Sequence, residues 1–159
     1  MVMLAYSTGL RPREIITITL DDISFTRSEL TVLLRKGGNP AIFPLPDETI
    51  KSISAYIIGA RLEPSKNNDR HLFLGLEAPY SPVSKYAVNR IIQGAMEKAE
   101  IPGTPYWLRH TYAQNLLESG ASIFEIKEML GHDDIKSTKR YLHIHIKLMR
   151  EVLFDETED

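Results

Sequence analysis

Four basic side chains stand in short, distinctive stretches of the sequence. Arg11 lies in "TGLRPRE", Lys36 in "RKGGN", Arg109 in "YWLRH" and His132 in "MLGHDD". A tyrosine, Tyr141, follows that histidine by nine residues. Cationic side chains bind anions, and guanidinium groups match the geometry of phosphate oxygens. These residue types are therefore suited to binding an anion.

Arg109 raises a further question, because "TPYWLRHTYA" sets it among aromatic and apolar neighbours. A buried cation is costly unless an anionic group meets it. Either Arg109 faces solvent, or it is buried at a position where an anionic group binds it.

Each residue taken singly also has an ordinary structural explanation. An arginine after "TGL" is typical of a solvated helix start, and a lysine in a glycine-rich turn is usually exposed. His132, directly after a glycine, can cap a helix C-terminus. Only the joint pattern favours a functional site.

Taken together, these segments resemble the catalytic domain of tyrosine recombinases, the family of phage integrases and of the enzymes that resolve chromosome dimers. The family is marked by "TGLR" with a glutamate three residues after the arginine, a lysine on a β-hairpin, "HxLRH(S/T)", "LGH" and a tyrosine nine residues later. The chain matches these marks in the family's order, from Thr8 to about Leu142. The resemblance implies site-specific recombination or integration of DNA, as in mobile elements.

The resemblance also implies a mechanism. Tyr141 would attack a DNA phosphodiester and form a covalent 3′-phosphotyrosine bond, which keeps the energy of the broken linkage without a nucleotide cofactor. A phenol with a pKa near 10 is only about 0.1% ionised at pH 7, so the site must supply positive charge. Arg11 and Arg109 would hold the non-bridging phosphate oxygens and do the electrostatic work that Mg²⁺ does elsewhere. We therefore expect neither a cofactor nor a metal ion.

The remaining family positions carry further implied roles. Lys36 would protonate the leaving 5′ oxygen as general acid, and His132 would hydrogen-bond the phosphate or position the nucleophile. Glu14 would orient Arg11. His110 follows Arg109 directly on a helix and so points to a different face, which gives it a structural or supporting role.

One position departs from the family pattern. The family usually has histidine three residues before its second arginine, where this chain has Tyr106. A phenol can donate a hydrogen bond to phosphate, but it is a far poorer proton acceptor near neutrality than imidazole. Either the position tolerates another kind of donor, which is the reading we favour, or the substitution slows or abolishes catalysis.

Basic and histidine residues around Tyr141 suggest two further roles. Lys136, Lys139 and Arg140 are candidate contacts to the DNA backbone, although a solvated helix face explains them almost as well. His143 and His145 invite a metal-binding interpretation, but residues two apart on a helix do not face each other. With no further ligand at a suitable spacing, the sequence predicts no metal site.

Composition limits the class of protein. The chain has 159 residues, of which 43% are hydrophobic, and no cysteine. That length is enough for one domain with its own core. The absence of cysteine fits a reducing cytoplasm, and no stretch approaches the roughly 18 apolar residues of a membrane span. We expect a soluble cytoplasmic protein, and the family resemblance implies a bacterial, archaeal or phage origin.

The charge is unevenly distributed. The whole chain has 19 Lys and Arg against 21 Asp and Glu. Five of those acidic residues lie in the tail 151–159, "EVLFDETED", which has no basic residue. Residues 1–150 therefore have 19 basic and 16 acidic side chains, a net charge of +3. We interpret the chain as a mildly basic body with a solvated acidic tail.

Periodicity and turn residues predict an α+β fold that is mainly helical, with one small antiparallel β-sheet. "ELTVLLRKGGNPAIFPL" predicts a hairpin with Lys36 near its tip. The first predicted helices are an apolar one closed by Gly9, a short one from Pro12 and one after Pro46 capped by Asp47. The next spans 84–100 and has an apolar stripe that we expect in the core: Ala87, Val88, Ile91, Ile92, Ala95, Met96 and Ala99. The last ones are a helix over 106–119 ended by Gly120, one with a Ser122–Glu125 capping box ended by Gly131, and one or two over 135–154.

The resemblance also predicts domain organisation and partners. Residues 1–159 would form one catalytic domain, truncated at its N-terminus, because family members generally place a DNA-clamping domain before it. The partner would be double-stranded DNA, bound as a homo-tetramer, with a monomer as the alternative for the isolated chain. The segment after Tyr141 would pack against a neighbouring subunit or fold back on its own domain.

Two other functions share part of these sequence features. "ASIFEIKEMLGHDDIKSTKRYL" is compatible with a helix-turn-helix of a non-catalytic DNA-binding regulator. That hypothesis explains nothing about Arg11, Lys36 or Arg109. A type IB topoisomerase or telomere resolvase shares the chemistry but relaxes or seals DNA. The length of the chain and the sequences of its motifs favour a recombinase.

Overall fold

The computed structural model describes residues 1–33, 40–62 and 70–131. Its contacts divide the chain into two units, Met1–Tyr112 and Ala113–Asp159, which are described separately. Several predicted site residues lie outside the described residues: Lys36, His132, Lys136, Lys139, Arg140 and Tyr141. The predicted helices over 135–154 and the acidic tail also lie outside them.

Two short helices open the first unit. Helix α1, Val2–Thr8, ends at Gly9, whose φ of 62° is left-handed and whose N–H donates to the Ala5 carbonyl. Helix α2 spans only Pro12–Ile15. Proline suits the first helical position, and the β-branched run that follows has low helix propensity. The predicted glycine stop and the predicted short helix are both confirmed.

A three-stranded antiparallel sheet follows a 3₁₀ turn at Leu20–Asp22. Its strands are β1 (Ile23–Ser24), β2 (Glu29–Val32) and β3 (Ala41–Pro44), in the order β1, β2, β3. Leu30 pairs with Phe43, and both side chains are buried. The strand alternation places apolar residues on one face. The predicted hairpin is thus confirmed in its strands, while Lys36 lies outside the described residues.

Helices α3 (Asp47–Gly59) and α4 (Lys85–Lys98) pack against the N-terminal helices, and their buried side chains join those of the sheet in one hydrophobic core. The prediction that Asp47 caps α3 is wrong, because Pro46 occupies the N-cap and Asp47 is already helical. Three residues of the predicted apolar stripe on α4, Val88, Ile92 and Met96, are buried. Ala87 and Ala95 are partly buried, whereas Ala99 is exposed. Ile91, assigned to that stripe, is 45% exposed.

Helix α5, Pro105–Glu118, begins in the first unit and continues into the second. Helix α6, Ile123–Leu130, starts with the predicted capping box: the Ser122 hydroxyl accepts from the Glu125 N–H, and the Glu125 carboxylate accepts from the Ser122 N–H. Hydrogen bonding from Ser122 to the Glu125 carboxylate, first from the serine side chain and then from its backbone N–H, lowers the pKa of Glu125. Gly131 ends α6 with a φ of 58°.

The predicted fold class is confirmed, since the described residues are mostly helical with one small antiparallel sheet. Among them, no helix is both long enough and apolar enough to cross a membrane.

Candidate functional site

Arg109 is buried, with 4% of its surface exposed. Its Nη1 donates a hydrogen bond of 2.6 Å to the Gly9 carbonyl and lies 3.9 Å from Oε2 of Glu14. Of the two readings left open by the sequence, the solvent-facing arginine is wrong. A carbonyl dipole and a carboxylate of the protein itself compensate part of the cost of burying this cation.

Glu14 is the buried carboxylate of the site, with 4% of its surface exposed. Its Oε2 accepts a 2.6 Å hydrogen bond from the backbone N–H of Arg11. Its Oε1 lies 3.3 Å from Nη1 of the same arginine. A carboxylate in the first turn of α2 also faces the positive end of the helix dipole. One buried anion therefore contacts both Arg11 and Arg109.

Arg11 occupies the N-cap of α2 in an extended conformation. Its side chain is 31% exposed, in contrast to the enclosed side chain of Arg109. Two guanidinium groups and one carboxylate leave a net charge of +1. The carboxylate lets two cations lie near each other, and the surplus positive charge is suited to an anionic ligand.

The turn before Arg11 explains the "TGLR" sequence locally. The buried Thr8 hydroxyl donates to the Leu4 carbonyl at 2.6 Å and accepts a long bond, 3.4 Å, from the Leu10 N–H. Gly9 takes a left-handed conformation, and a Cβ there would lie 2.5 Å from Cδ1 of Tyr112. Glycine is therefore required twice, by its φ and by the closeness of the tyrosine ring. This turn presents the Gly9 carbonyl to Arg109.

Tyr106 lies one turn before His110 on α5 and is 49% exposed. The two rings are 4.2 Å apart between centroids and nearly perpendicular, at 87°. Residues at this spacing share a helix face, and an edge-to-face pair of rings is attractive. The residue in the place of the family's usual histidine is thus in contact with another histidine.

Sequence reasoning missed several of these relations. It did not place the Gly9 carbonyl on Arg109, Glu14 near Arg109, or the Tyr112 ring over Gly9. Those contacts join segments about 100 residues apart, and no local pattern encodes them. The ring pair could have been found, because its members stand four residues apart within a predicted helix.

The predicted catalytic set is therefore described in part. The structure brings Arg11, Glu14 and Arg109 together, and it sets Tyr106 against His110 on the same helix as Arg109. Within the described ranges, no group of three or more His, Cys, Asp or Glu side chains is arranged to hold a metal ion.

Comparison with known proteins identifies the chain's relatives. A model of the phage integrase family matches residues 1–147. Tyrosine recombinase XerD of Staphylococcus saprophyticus is 36% identical over 155 residues, which cover 96% of this chain and 52% of that protein. Tyrosine recombinase XerD of Mycobacterium tuberculosis is 31% identical over 151 residues, which cover 94% and 48%.

Solved structures agree on the fold. The crystal structure of XerA recombinase superimposes with a TM-score of 0.77 at 26% identity, covering 99% of this chain and 55% of that one. A structure of the XerH site-specific recombinase gives 0.76 at 21% identity, covering 96% and 43%. The chain spans about half the length of the curated relatives it matches. With a family match over nearly all of its length, the chain belongs to the phage integrase family.

Proposed function

We propose that this chain is the catalytic part of a site-specific DNA recombinase, which cleaves and rejoins DNA through a covalent 3′-phosphotyrosine on Tyr141. One observation carries the proposal: Arg11 and Arg109, the two arginines of the family motifs, share the buried carboxylate of Glu14. A pair of guanidinium groups with surplus positive charge is suited to the two non-bridging oxygens of a phosphodiester. It would also stabilise the charge that develops there during transfer.

The other roles follow from the family motifs. The Tyr141 phenol gives up its proton to water and its oxygen attacks the phosphorus. The bond to the 5′ oxygen breaks, so the phosphate is transferred to the phenol oxygen and the 5′ oxygen leaves. Lys36 donates the proton to that leaving oxygen. His132 contacts the phosphate or positions the nucleophile, and Tyr106 donates a hydrogen bond where relatives use histidine.

Double-stranded DNA is the proposed partner. Two of the structural relatives were solved with DNA, the XerH recombinase on its difH substrate and the Tn1549 transposon integrase on a circular intermediate. Lys136, Lys139 and Arg140 are proposed to contact the DNA backbone. The family predicts three further features: a homo-tetramer on paired sites, a DNA-clamping domain before the catalytic one, and a segment after Tyr141 that packs in trans or in cis.

The regulator hypothesis is less well supported. A helix-turn-helix protein needs neither a buried carboxylate beneath two arginines nor a nucleophile, and a buried ion pair is a weak source of stability by itself. Binding without chemistry leaves this arrangement unexplained.

A suicide DNA substrate with a nick next to the cleavage point tests the proposal. Cleavage releases a short fragment that cannot rejoin, so the covalent protein and DNA adduct accumulates and survives denaturation. We expect an adduct from the chain and none from Tyr141→Phe. Tyr86→Phe is the matched control, because that tyrosine is 74% exposed on α4 and has no proposed role. Folded protein that binds DNA but forms no adduct would favour the regulator.

A further inference from the structure

The contact between Tyr106 and His110 supports an inference about how Tyr106 is positioned. This inference rests on the proposed function. The rings meet edge to face at 4.2 Å between centroids, which is closer than the roughly 4.5–7 Å usual for such pairs. Both rings lie on α5, one turn apart. The two residues of this contact therefore belong to one helix.

Tyr106 needs such a contact to be useful as a donor. Its side chain is half-exposed. An exposed aromatic side chain samples several rotamers, so a donor on it is poorly placed unless something holds the ring. The ring of His110 is the contact that restricts it.

His110 in turn is carried by a well-held part of the helix. Its neighbour Arg109 is buried and hydrogen-bonded to the Gly9 carbonyl. Residues 106, 109 and 110 lie on adjoining positions of α5, because side chains three and four apart are neighbours on a helix. The anchored arginine and the tyrosine, three residues apart, thus lie on adjoining positions of the helix.

We propose that His110 is a positioning residue that acts through Tyr106. Its ring holds the phenol so that the hydroxyl donates a hydrogen bond to the scissile phosphate beside Arg109. In this chain a tyrosine stands at the first histidine of the family motif, and the second histidine of that motif, His110, holds it. The tyrosine is then an adapted donor and not a defect.

A double-mutant cycle on single-turnover cleavage of the suicide substrate tests this, with the full 159-residue chain. We expect His110→Ala to slow cleavage roughly three- to tenfold, the range that the loss of an aromatic pair predicts. In the Tyr106→Phe background, which keeps the ring but lacks the hydroxyl, the same change should cost less than about twofold. His110→Phe keeps an aromatic partner and should restore most of the rate.

Two controls separate positioning from a general structural effect. Asn115→Ala alters an exposed position of the same helix, outside the family motif and five residues beyond His110, and should leave the rate unchanged. The Kd for the DNA, measured by fluorescence anisotropy at fixed salt, should change less than about twofold in every variant, because only the chemical step is affected.

The outcomes distinguish the inference from the proposed function. If wild type forms no Tyr141-dependent adduct, the proposed function falls and this inference with it. If the adduct forms but His110→Ala costs the same with and without the Tyr106 hydroxyl, the inference alone is overturned. An unchanged rate in His110→Ala, or a rate in His110→Phe as low as in the alanine variant, overturns it equally.

Discussion

Arg109 and Arg11 approach the same carboxylate from two different environments. Arg109 is enclosed, with its Nη1 on the Gly9 carbonyl and 3.9 Å from Glu14. Arg11 lies at a helix start with about a third of its side chain exposed, and its backbone N–H also binds Glu14. The guanidinium group of Arg109 therefore belongs to the interior, whereas that of Arg11 lies partly at the surface.

The difference shows how one site can combine a fixed and an adaptable cation. A buried charge has already lost its hydration and its rotamer freedom, so it meets a phosphate without reorganisation. An exposed arginine keeps both until substrate arrives, and its pair with a carboxylate contributes little to folding. Stability should thus depend on Arg109, whereas activity should depend on both arginines.

Arg109→Ala should give the largest effect on stability. It leaves a buried carboxylate and a buried carbonyl without this cation, and breaking such a pair from one side costs about 3–5 kcal/mol. Urea unfolding followed by circular dichroism measures this as a lower midpoint. A loss of less than about 1 kcal/mol in the free energy of unfolding would contradict this, because the enclosed arginine would then be no more important to folding than an exposed one.

Gly9→Ala should have the second-largest effect on stability, because it displaces the carbonyl that accepts the hydrogen bond of Arg109. A left-handed φ costs a non-glycine residue about 1 kcal/mol, and a Cβ within 2.5 Å of the Tyr112 ring adds overpacking of about 1–3 kcal/mol. Thermal unfolding should show a clear fall in Tm.

The matched control for that change is Gly94→Ala. Gly94 lies inside α4, and an added Cβ would meet nothing within 4 Å. Alanine there should stabilise the protein by about 0.5–1 kcal/mol through its helix propensity. Equal losses at both glycines would mean that the turn at Gly9 has no special requirement.

Arg11→Ala should give the smallest effect on stability and a large effect on chemistry. Glu14 keeps its hydrogen bond to the backbone N–H at position 11, so the free energy of unfolding should change by less than about 1 kcal/mol. Cleavage of the suicide substrate should fall by about a hundredfold or more, as for the removal of one oxyanion-stabilising group. Arg13→Ala, at an exposed position of the same helix, should change neither quantity. A stability loss in Arg11→Ala as large as that of Arg109→Ala would erase the distinction between the two sites.

Local signals predicted the element boundaries where a single residue type enforces the geometry. Gly9 and Gly131 end their helices because glycine tolerates positive φ, and Ser122 with Glu125 forms a capping box within four residues. The prediction failed at Asp47, where proline took the cap position itself. Ile91 was assigned to the core from its spacing, but a periodic stripe does not define how wide a face its neighbours cover.

The sequence by itself determined which chemical groups are present, in what order, and to which family they belong. It also determined the helices and hairpin that carry the described groups, since caps, turns and periodicity act over a few residues. Only the tertiary structure decided that Arg109 is buried, that Glu14 lies near both arginines, and that a backbone carbonyl 100 residues away holds the guanidinium. Such contacts depend on how the core brings distant segments together, and the charge of a side chain does not reveal which partner the fold will bring to it.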